Sequence, residues 1–130
     1  MKTKLLIIED EKITRRSLSD ILTNEGYEVH AAEDGEIGLE IYRAEKPSIV
    51  ITDLRLPKLN GIEVLSTVLS LDPMCRVILM TAHASIDTAV QSLKIGAFDY
   101  LTKPFSPEEL ISILRNINQL KNLKKDESAW

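Results

Sequence analysis

The sequence predicts an α/β domain, in which a doubly wound sheet of five parallel strands carries helices on both faces. Short apolar runs alternate along the chain with longer segments whose apolar residues recur at helical spacing. The pattern repeats five times, and the connections between the segments are short. The 130 residues correspond to about one domain, and we expect it to fold without disulfides or a structural metal.

The predicted strands are apolar runs that end at a charged or polar residue. Ile8 is followed by Glu9, and Thr52 is followed by Asp53. Such runs are typical of buried parallel strands, because helices cover both faces of the sheet. The strands are predicted at residues 5–8, 27–31, 48–52, 76–80 and 97–101.

The predicted helices are bounded by capping residues. Gly26 and Gly96 end the first and fourth helices in the way that C-terminal glycines do. Pro47 closes the second helix because proline cannot continue it. Ser106 begins the fifth helix as a hydroxyl N-cap, with a proline at the first helical position. The helices are predicted at residues 12–24, 34–46, 62–71, 85–95 and 106–120.

The expected strand order is that of a flavodoxin-like sheet. Right-handed crossovers place helices on both faces, and the flavodoxin-like order 2-1-3-4-5 puts strands one and three side by side. Ligands bind to such sheets outside the carboxyl ends of the strands. We therefore expect Glu9, Asp10 and Asp53 to meet at one edge of the sheet.

The domain is predicted to span residues 1–120. Its last helix carries apolar residues at helical spacing as far as Leu120, which is more length than one sheet face requires. We expect this stripe to dock on the sheet, and a helical linker or pairing with a second chain are the alternatives. Residues 121–130 are predicted to be a polar, frayed C-terminal tail or the start of a linker.

The composition argues against several classes of function. No apolar run approaches the ~20 residues that span a bilayer, and the first residues lack the pattern of a signal peptide. We therefore expect no membrane insertion and a cytoplasmic location. The net charge of −4 offers no general attraction to a phosphate backbone, so direct binding to nucleic acid is not expected. Cys75 is the only cysteine, and its apolar neighbours predict a packed thiol.

The acidic residues predict a cation site. Carboxylates that converge repel one another unless a cation lies between them, and oxygen ligands without histidine or cysteine favour Mg²⁺. The alternative is that Glu9-Asp10-Glu11 only begins a helix, where acidic side chains favour the positive end of the helix dipole. The cluster alone does not separate these two interpretations.

Two further strand ends favour phosphoryl chemistry. Lys103 follows the fifth strand and can neutralise a phosphoryl group, and Thr81 follows the fourth strand and can offer its hydroxyl to a phosphoryl oxygen. A carboxylate can attack phosphorus to form an acyl phosphate. Phosphoryl transfer depends mainly on alignment and charge stabilisation, which Mg²⁺ and Lys103 would supply. Together with Asp10 and Asp53, these residues form a set that is much more specific than any one member.

With these residues the chain resembles a response-regulator receiver domain of bacterial two-component signalling, over about residues 4–120. The resemblance is carried by the acidic pair Glu9-Asp10, the phosphoacceptor position Asp53, the switch hydroxyl Thr81, the switch aromatic Tyr100 and the cation Lys103. It implies that Mg²⁺ is surrounded by Glu9, Asp10, Asp53 and the backbone carbonyl of Arg55. It also implies that a partner histidine kinase supplies the phosphoryl group, and that the chain is a signalling switch rather than an enzyme.

The resemblance further implies how phosphorylation becomes a signal. Phosphorylated Asp53 draws Thr81 toward it, and Tyr100 rotates from an exposed to a buried position. The surface that reads this change is formed by the helix at 85–95, the strand at 97–101 and the last helix.

Three details of the site also come from the resemblance. Arg55 and His83 flank the path of the hydrolytic water and would tune the lifetime of the phosphoryl group, although an ordinary loop role is favoured for His83. The Lys103-Pro104 bond is expected to be cis, which would aim the Lys103 side chain. Glu9 stands where an aspartate is common, and this change keeps the carboxylate.

The output is less closely defined by the sequence. Residues 80–83 and 96–105 are similar to those in receivers of enhancer-binding transcriptional activators that serve the alternative sigma factor. This finer resemblance implies control of transcription. The chain is either a free-standing receiver or the N-terminal part of a larger regulator, and a homodimer formed on phosphorylation is a further hypothesis.

Two other classes of protein fit parts of the pattern. A small Mg²⁺-dependent phosphohydrolase with an aspartate nucleophile usually has a second aspartate two residues later, where this chain has Arg55. A flavodoxin-like cofactor protein needs backbone donors for a phosphate after the first strand, where Glu9-Asp10-Glu11 would repel it. The receiver interpretation is therefore favoured over both.

Overall fold

The fold is that of the predicted α/β class, and the computed structural model describes residues 2–127, with side chains as far as residue 120. Five parallel strands form one sheet in the order β2-β1-β3-β4-β5, which confirms the predicted topology. The strands are β1 (Lys4–Ile8), β2 (Glu28–Ala32), β3 (Ile49–Asp53), β4 (Arg76–Thr81) and β5 (Asp99–Thr102). The helices are α1 (Lys12–Asn24), α2 (Gly35–Glu45), α3 (Gly61–Leu71), α4 (Ile86–Ile95) and α5 (Pro107–Glu127).

Three strands begin later than the sequence predicts, β2 and β3 by one residue and β5 by two. In β2 and β5, hydrogen bonds to the preceding helix hold the first residues. The amide of Tyr27 donates to the carbonyl of Leu22 at 3.2 Å, so β2 begins at Glu28. The amide of Ala97 donates to the carbonyl of Ser92 at 3.0 Å, and β5 begins only at Asp99.

The last helix is longer than predicted. Helix α5 continues to Glu127, beyond the residue where a frayed tail was expected to begin. The backbone of residues 121–127 is therefore helical, which corrects that expectation, and residues 128–130 lie outside the described part of the chain. The division into a domain and a tail or linker at residue 120 remains a prediction.

The core has two layers, because successive strand residues point to opposite faces of the sheet. Leu5 and Ile7 of β1 face α1 and α5, and Leu6 and Ile8 face α2 and α3. The first layer also includes Leu18, Leu22, Ile51, Ile78, Leu110 and Leu114. The second also includes Leu39, Val50, Val64, Leu65, Val68 and Leu79. Burial on both faces explains why the strands have near-continuous apolar sequences.

Side-chain caps fix the starts of the helices and so the loops at the carboxyl edge of the sheet. The Glu11 carboxylate accepts hydrogen bonds from the amides of Ile13 and Thr14 at the start of α1. At the start of α3, Asn60 forms a capping box with Glu63. Such caps satisfy backbone amides that have no partner within the helix. Asp34, Ser85 and Ser106 also accept hydrogen bonds from amides in the first turns of the helices that follow them.

Helix α4 is packed differently from the other helices. Its apolar residues recur at helical spacing, yet Ile86 is 82% exposed and Leu93 is 53% exposed, and Val90 is also exposed. Only Ser92 of this helix is buried. The helix contacts α3 and the edge strand β5, so much of its apolar stripe faces solvent rather than the core.

Among the residues that the structure describes, no helix is both long and apolar enough to cross a bilayer.

Candidate functional site

The ends of four neighbouring strands define the candidate site. Residues 9 and 10 follow β1, Asp53 ends β3, Thr81 ends β4, and Lys103 follows β5. The strands are aligned so that Ile8 lies beside Thr52 and so that residue 53 pairs with residue 80 in the neighbouring strand. Parallel alignment therefore brings residues that are distant in the sequence to one edge.

The structure brings together the three predicted acidic residues. One carboxylate oxygen from each of Glu9, Asp10 and Asp53 lies within 4.8 Å of the others. Glu9 is fully buried and Asp53 is 7% exposed, whereas Asp10 is exposed to solvent. Buried carboxylates at this separation require a compensating cation or a proton.

Lys103 supplies one positive charge to this group. Its Nζ donates to Asp53 Oδ2 at 2.7 Å and also donates to Glu9 Oε1. The Lys103-Pro104 bond that follows is cis, as the resemblance implied. The lysine thus links the end of β5 to the carboxylates that follow β1 and end β3.

The pKa values at the site reflect burial and charge. Burial, and to a smaller extent the neighbouring Asp53, raise the pKa of Glu9 to about 7, although the hydrogen bond from Lys103 lowers it. Burial also disfavours the charge on Lys103, but hydrogen bonds to Asp53 and Glu9 outweigh it and raise the pKa of the lysine. Lys103 therefore remains positively charged beside the carboxylates at neutral pH.

The donor set fits a hard divalent cation. All three side chains of the acidic group offer carboxylate oxygens, and the group contains no nitrogen or sulfur ligand. Oxygen ligands of this kind select Mg²⁺ over softer metals, and Mg²⁺ commonly keeps some of its water. The group therefore fits the predicted Mg²⁺ and could hold it through Glu9, Asp10 and Asp53.

The second oxygen of the Asp53 carboxylate is held by the backbone. The amide of Arg55 donates to Asp53 Oδ1 at 3.3 Å, and the Arg55 side chain is exposed. The start of α3 also packs against this turn, since a Cβ atom at Gly61 would overlap the carbonyl oxygen of Asp53 and lie 2.8 Å from the Cα of Leu54. The carboxylate is therefore held from two sides and packed against α3.

Comparison with known proteins identifies the family. The sequence profile of the response regulator receiver domain matches residues 5–115. The chain belongs to this family. It is 40% identical over 123 residues to the regulatory protein AtoC of Escherichia coli, covering 95% of this chain and 27% of AtoC. It is 32% identical over 120 residues to the chemotaxis protein CheY of Thermotoga maritima, covering 92% of this chain and 100% of CheY.

Solved structures agree with this assignment. A response regulator receiver domain from Clostridium thermocellum superposes with a TM-score of 0.85 at 35% identity, covering 93% of this chain and 98% of that one. The chain spans between 27% and 56% of the length of three curated regulatory proteins that it matches, one of which is AtoC. These matches do not support the phosphohydrolase alternative.

The predicted switch residues of the receiver domain occupy defined positions. Thr81 is 1% exposed, and its Oγ1 accepts a hydrogen bond from the amide of His83 at 3.0 Å. Tyr100 is half-buried rather than exposed, and its hydroxyl shares a hydrogen bond of 3.1 Å with Thr88 Oγ1 on α4. The His83 side chain is exposed. Tyr100 therefore links β5 directly to α4, a contact that the sequence did not reveal.

The alternative interpretation, that the acidic run Glu9-Asp10-Glu11 only begins a helix, is correct for one of its three residues. Glu11 is the N-cap of α1, whereas Glu9 and Asp10 belong to the acidic group. The sequence reasoning also missed Arg15, whose Nη1 donates to the carbonyl oxygen of Glu9 at 2.8 Å. Its position in the second turn of α1 was an available signal, because helical side chains lean toward the start of their helix.

Proposed function

We propose that this receiver domain accepts a phosphoryl group on Asp53 from the phosphohistidine of a histidine kinase. The observation that supports this most strongly is the environment of the Asp53 carboxylate. One oxygen accepts from the Arg55 amide, and the other accepts from Lys103 at the edge of the sheet. The carboxylate is thus oriented, and a cation lies where negative charge would accumulate during transfer.

In the proposed reaction the phosphoryl group moves directly from the phosphohistidine to Asp53. An Asp53 carboxylate oxygen forms a bond to phosphorus while the phosphorus–nitrogen bond of the phosphohistidine breaks. The electron pair of that bond returns to the imidazole nitrogen, and the product on Asp53 is an acyl phosphate. Lys103 would then pair with phosphoryl oxygens, which adds charge-assisted hydrogen bonds as the charge develops.

Mg²⁺ is part of the proposal. Glu9, Asp10, Asp53 and the backbone carbonyl of Arg55 would hold it, and when bound it would neutralise charge on the phosphoryl oxygens. The chain itself would act once per phosphoryl group, as a switch that catalyses only its own phosphorylation and dephosphorylation.

The signal would leave the site through Thr81 and Tyr100. A phosphoryl group on Asp53 brings strong acceptor oxygens close to the end of β4. We propose that Thr81 gives up its bond to the His83 amide and donates to one of these oxygens. Tyr100 would then move further inward and lose its hydrogen bond to Thr88, which changes the surface formed by α4, β5 and α5.

We propose that the output of this surface is control of transcription in the cytoplasm, without direct contact between this domain and nucleic acid. The similarity to AtoC, a regulatory protein much longer than this chain, supports an output carried by another domain or protein. The full-length match to CheY is equally compatible with a free-standing receiver. A homodimer formed through the α4-β5-α5 surface on phosphorylation is part of the proposal.

The central test is phosphorylation by a small donor. Incubation with acetyl phosphate and Mg²⁺ should add one phosphoryl group per chain, detected by intact mass, and Asp53→Asn should abolish it. Asp20→Asn removes an exposed carboxylate of α1 and should behave as the wild type. Phosphorylation of the Asp53→Asn variant, or donor consumption faster than the phosphorylated chain loses its phosphoryl group, would contradict the proposal.

Two further measurements address the finer parts. We expect Arg55→Ala or His83→Ala to change the rate at which the phosphoryl group is lost, and unchanged decay in both variants would remove these residues from the proposal. Sedimentation with and without an acyl-phosphate mimic tests dimerisation, which a monomer in both conditions would exclude.

A further inference from the structure

Arg15 contacts the loop that carries the acidic pair. Its side chain extends back from the second turn of α1, and Nη1 donates to the carbonyl oxygen of Glu9 at 2.8 Å and to that of Asp10 at 3.3 Å. The side chain is half-buried. One guanidinium nitrogen therefore bridges the backbone of two consecutive residues that are proposed to hold Mg²⁺.

The Glu9 carboxylate in this loop accepts from the Glu11 amide at 3.4 Å and from Lys103, and two further contacts fix the ends of the loop. The amide of Glu9 donates to the carbonyl of Ala32 at 3.0 Å, which ties the loop to the sheet. The Glu11 carboxylate caps α1, which ties the loop to the helix. Arg15 acts between these ends, at the carbonyl groups whose orientation determines where the Glu9 and Asp10 side chains point.

The choice of acceptor defines the role of the arginine. Its hydrogen bonds go to carbonyl oxygens, so it does not occupy the carboxylate oxygens that a cation would use. We infer that Arg15 is a positioning residue that holds the loop of Glu9 and Asp10 in the geometry that binds Mg²⁺. This inference rests on the proposed function, because it concerns the same cation site.

Positioning and simple electrostatics predict opposite results. A positive charge close to a cation site repels the cation, so removing it should tighten Mg²⁺ binding if charge alone matters. If Arg15 positions the loop, removing it should weaken Mg²⁺ binding in spite of that repulsion. Residues that orient metal ligands typically contribute about 10-fold to 100-fold in metal affinity.

The experiment is a Mg²⁺ titration of the full chain by calorimetry, with Arg15→Gln compared with Arg16→Gln. Arg16 is the adjacent residue on α1 and is exposed, so its replacement removes the same charge without the loop contact. We expect Arg15→Gln to weaken Mg²⁺ binding about 10-fold or more, and Arg16→Gln to leave it unchanged or slightly tighter. Equal affinities in the two variants, or tighter binding in Arg15→Gln, would overturn the inference.

A second variant covers a failure of folding. If urea denaturation shows that Arg15→Gln is unfolded, Arg15→Lys is titrated instead, since it keeps the charge and loses the planar guanidinium. Its control is Arg16→Lys, which makes the same exchange at the exposed neighbour. Weaker binding in Arg15→Lys than in wild type and Arg16→Lys supports positioning, and equal binding overturns it. If the wild type binds Mg²⁺ and is phosphorylated, but the variants bind Mg²⁺ with equal affinity, this inference is overturned and the proposed function is not. Wild-type protein that binds no Mg²⁺ overturns the proposed cation site as well.

Discussion

Helices α3 and α4 follow one another in the chain, are 11 and 10 residues long, and contact each other, yet they are buried to very different extents. Helix α3 covers the centre of the sheet and fully buries Val64, Leu65 and Val68. Helix α4 contacts the edge strand β5 and exposes most of its apolar stripe. A similar apolar periodicity thus produces a firmly packed helix over the centre of the sheet and a lightly packed one over its edge.

The two helices also meet the site differently. The first residue of α3, Gly61, lies against the backbone of Asp53, so this helix supports the proposed phosphoacceptor. Helix α4 is connected to Tyr100 through Thr88, at the end of the proposed switch. We interpret α3 as the fixed support and α4 as the element that responds, because movement is less costly where few apolar contacts are lost.

The largest expected difference between the two helices is in the stability that each loses when one of its leucines is truncated. Leu65→Ala should reduce the free energy of unfolding by about 2–5 kcal/mol, because it leaves a cavity in the core. Leu93→Ala makes the same change at a half-exposed position of α4 and should cost only about 0.5 kcal/mol. Urea denaturation measures both, and similar losses would mean that the helices are equally packed.

A smaller effect is expected at the first residue of each helix. Gly61→Ala should cost about 1–3 kcal/mol, since the added Cβ overlaps backbone atoms that can relieve the clash only by moving. The displaced Asp53 should also be phosphorylated more slowly by acetyl phosphate. Ile86→Ala, at the exposed first residue of α4, serves as the control and should change neither stability nor rate. A fully active Gly61→Ala variant would argue against α3 as the support of Asp53.

The buried thiol of Cys75, in the turn between α3 and β4, should give stability a pH dependence. Burial raises the pKa of the Cys75 thiol to about 12, and Cys75 Sγ lies 3.6 Å from the carbonyl oxygen of Pro47. The folded chain keeps this proton at pH values where the unfolded chain loses it. The stabilisation is therefore complete below about pH 8.5 and is lost progressively as the pH rises toward 12.

Between pH 8 and pH 10 we expect this thiol to account for about 1–2 kcal/mol of lost stability, measured as the difference in slope between wild type and Cys75→Ala. A cysteine placed on α4 by Leu93→Cys, in the Cys75→Ala background, should restore no such dependence, because that position is exposed. Identical slopes for wild type and Cys75→Ala would show that water reaches the turn between α3 and β4.

The smallest effect concerns the contact between α4 and Tyr100. Thr88→Val removes the hydroxyl that bonds the tyrosine and should cost about 0.5–1.5 kcal/mol. It should also increase hydrogen exchange of the α4 amides relative to those of α3, because α4 loses one of its anchors. Tyr100→Phe removes this bond alone, whereas Thr88 Oγ1 also bonds Ser85, so the effect of Tyr100→Phe should be the smaller of the two. Unchanged exchange in both variants would exclude this bond as an anchor of α4.

Much of the fold could be predicted because its signals are local. The strands end where apolar runs meet charged residues, and the caps at Asp34, Asn60, Ser85 and Ser106 mark where helices begin. The starts of β2 and β5 were predicted less well, since they depend on hydrogen bonds to the ends of the preceding helices. The helical backbone of residues 121–127 agrees with the alternative of a helical continuation rather than with a frayed tail, because polar composition by itself does not end a helix.

The residues of the candidate site could be predicted from the sequence, but several of its hydrogen bonds could not. Glu9, Asp10, Asp53, Thr81 and Lys103 each stand at a strand end, so parallel topology was enough to place them at one edge. The bond between Tyr100 and Thr88 and the bonds of Arg15 to backbone carbonyls have no counterpart in a motif. They depend on how helices are oriented on the sheet and on the direction of individual side chains.

The sequence by itself determined the α/β class, the strand order and the acidic edge, because apolar periodicity and right-handed crossovers leave few alternatives. Only the tertiary structure decided that Lys103 bonds both Asp53 and Glu9, residues that are 50 and 94 positions away. It also decided that the apolar stripe of α4 faces solvent, because a helix over the edge of a sheet has fewer surfaces to bury it than a helix over the centre.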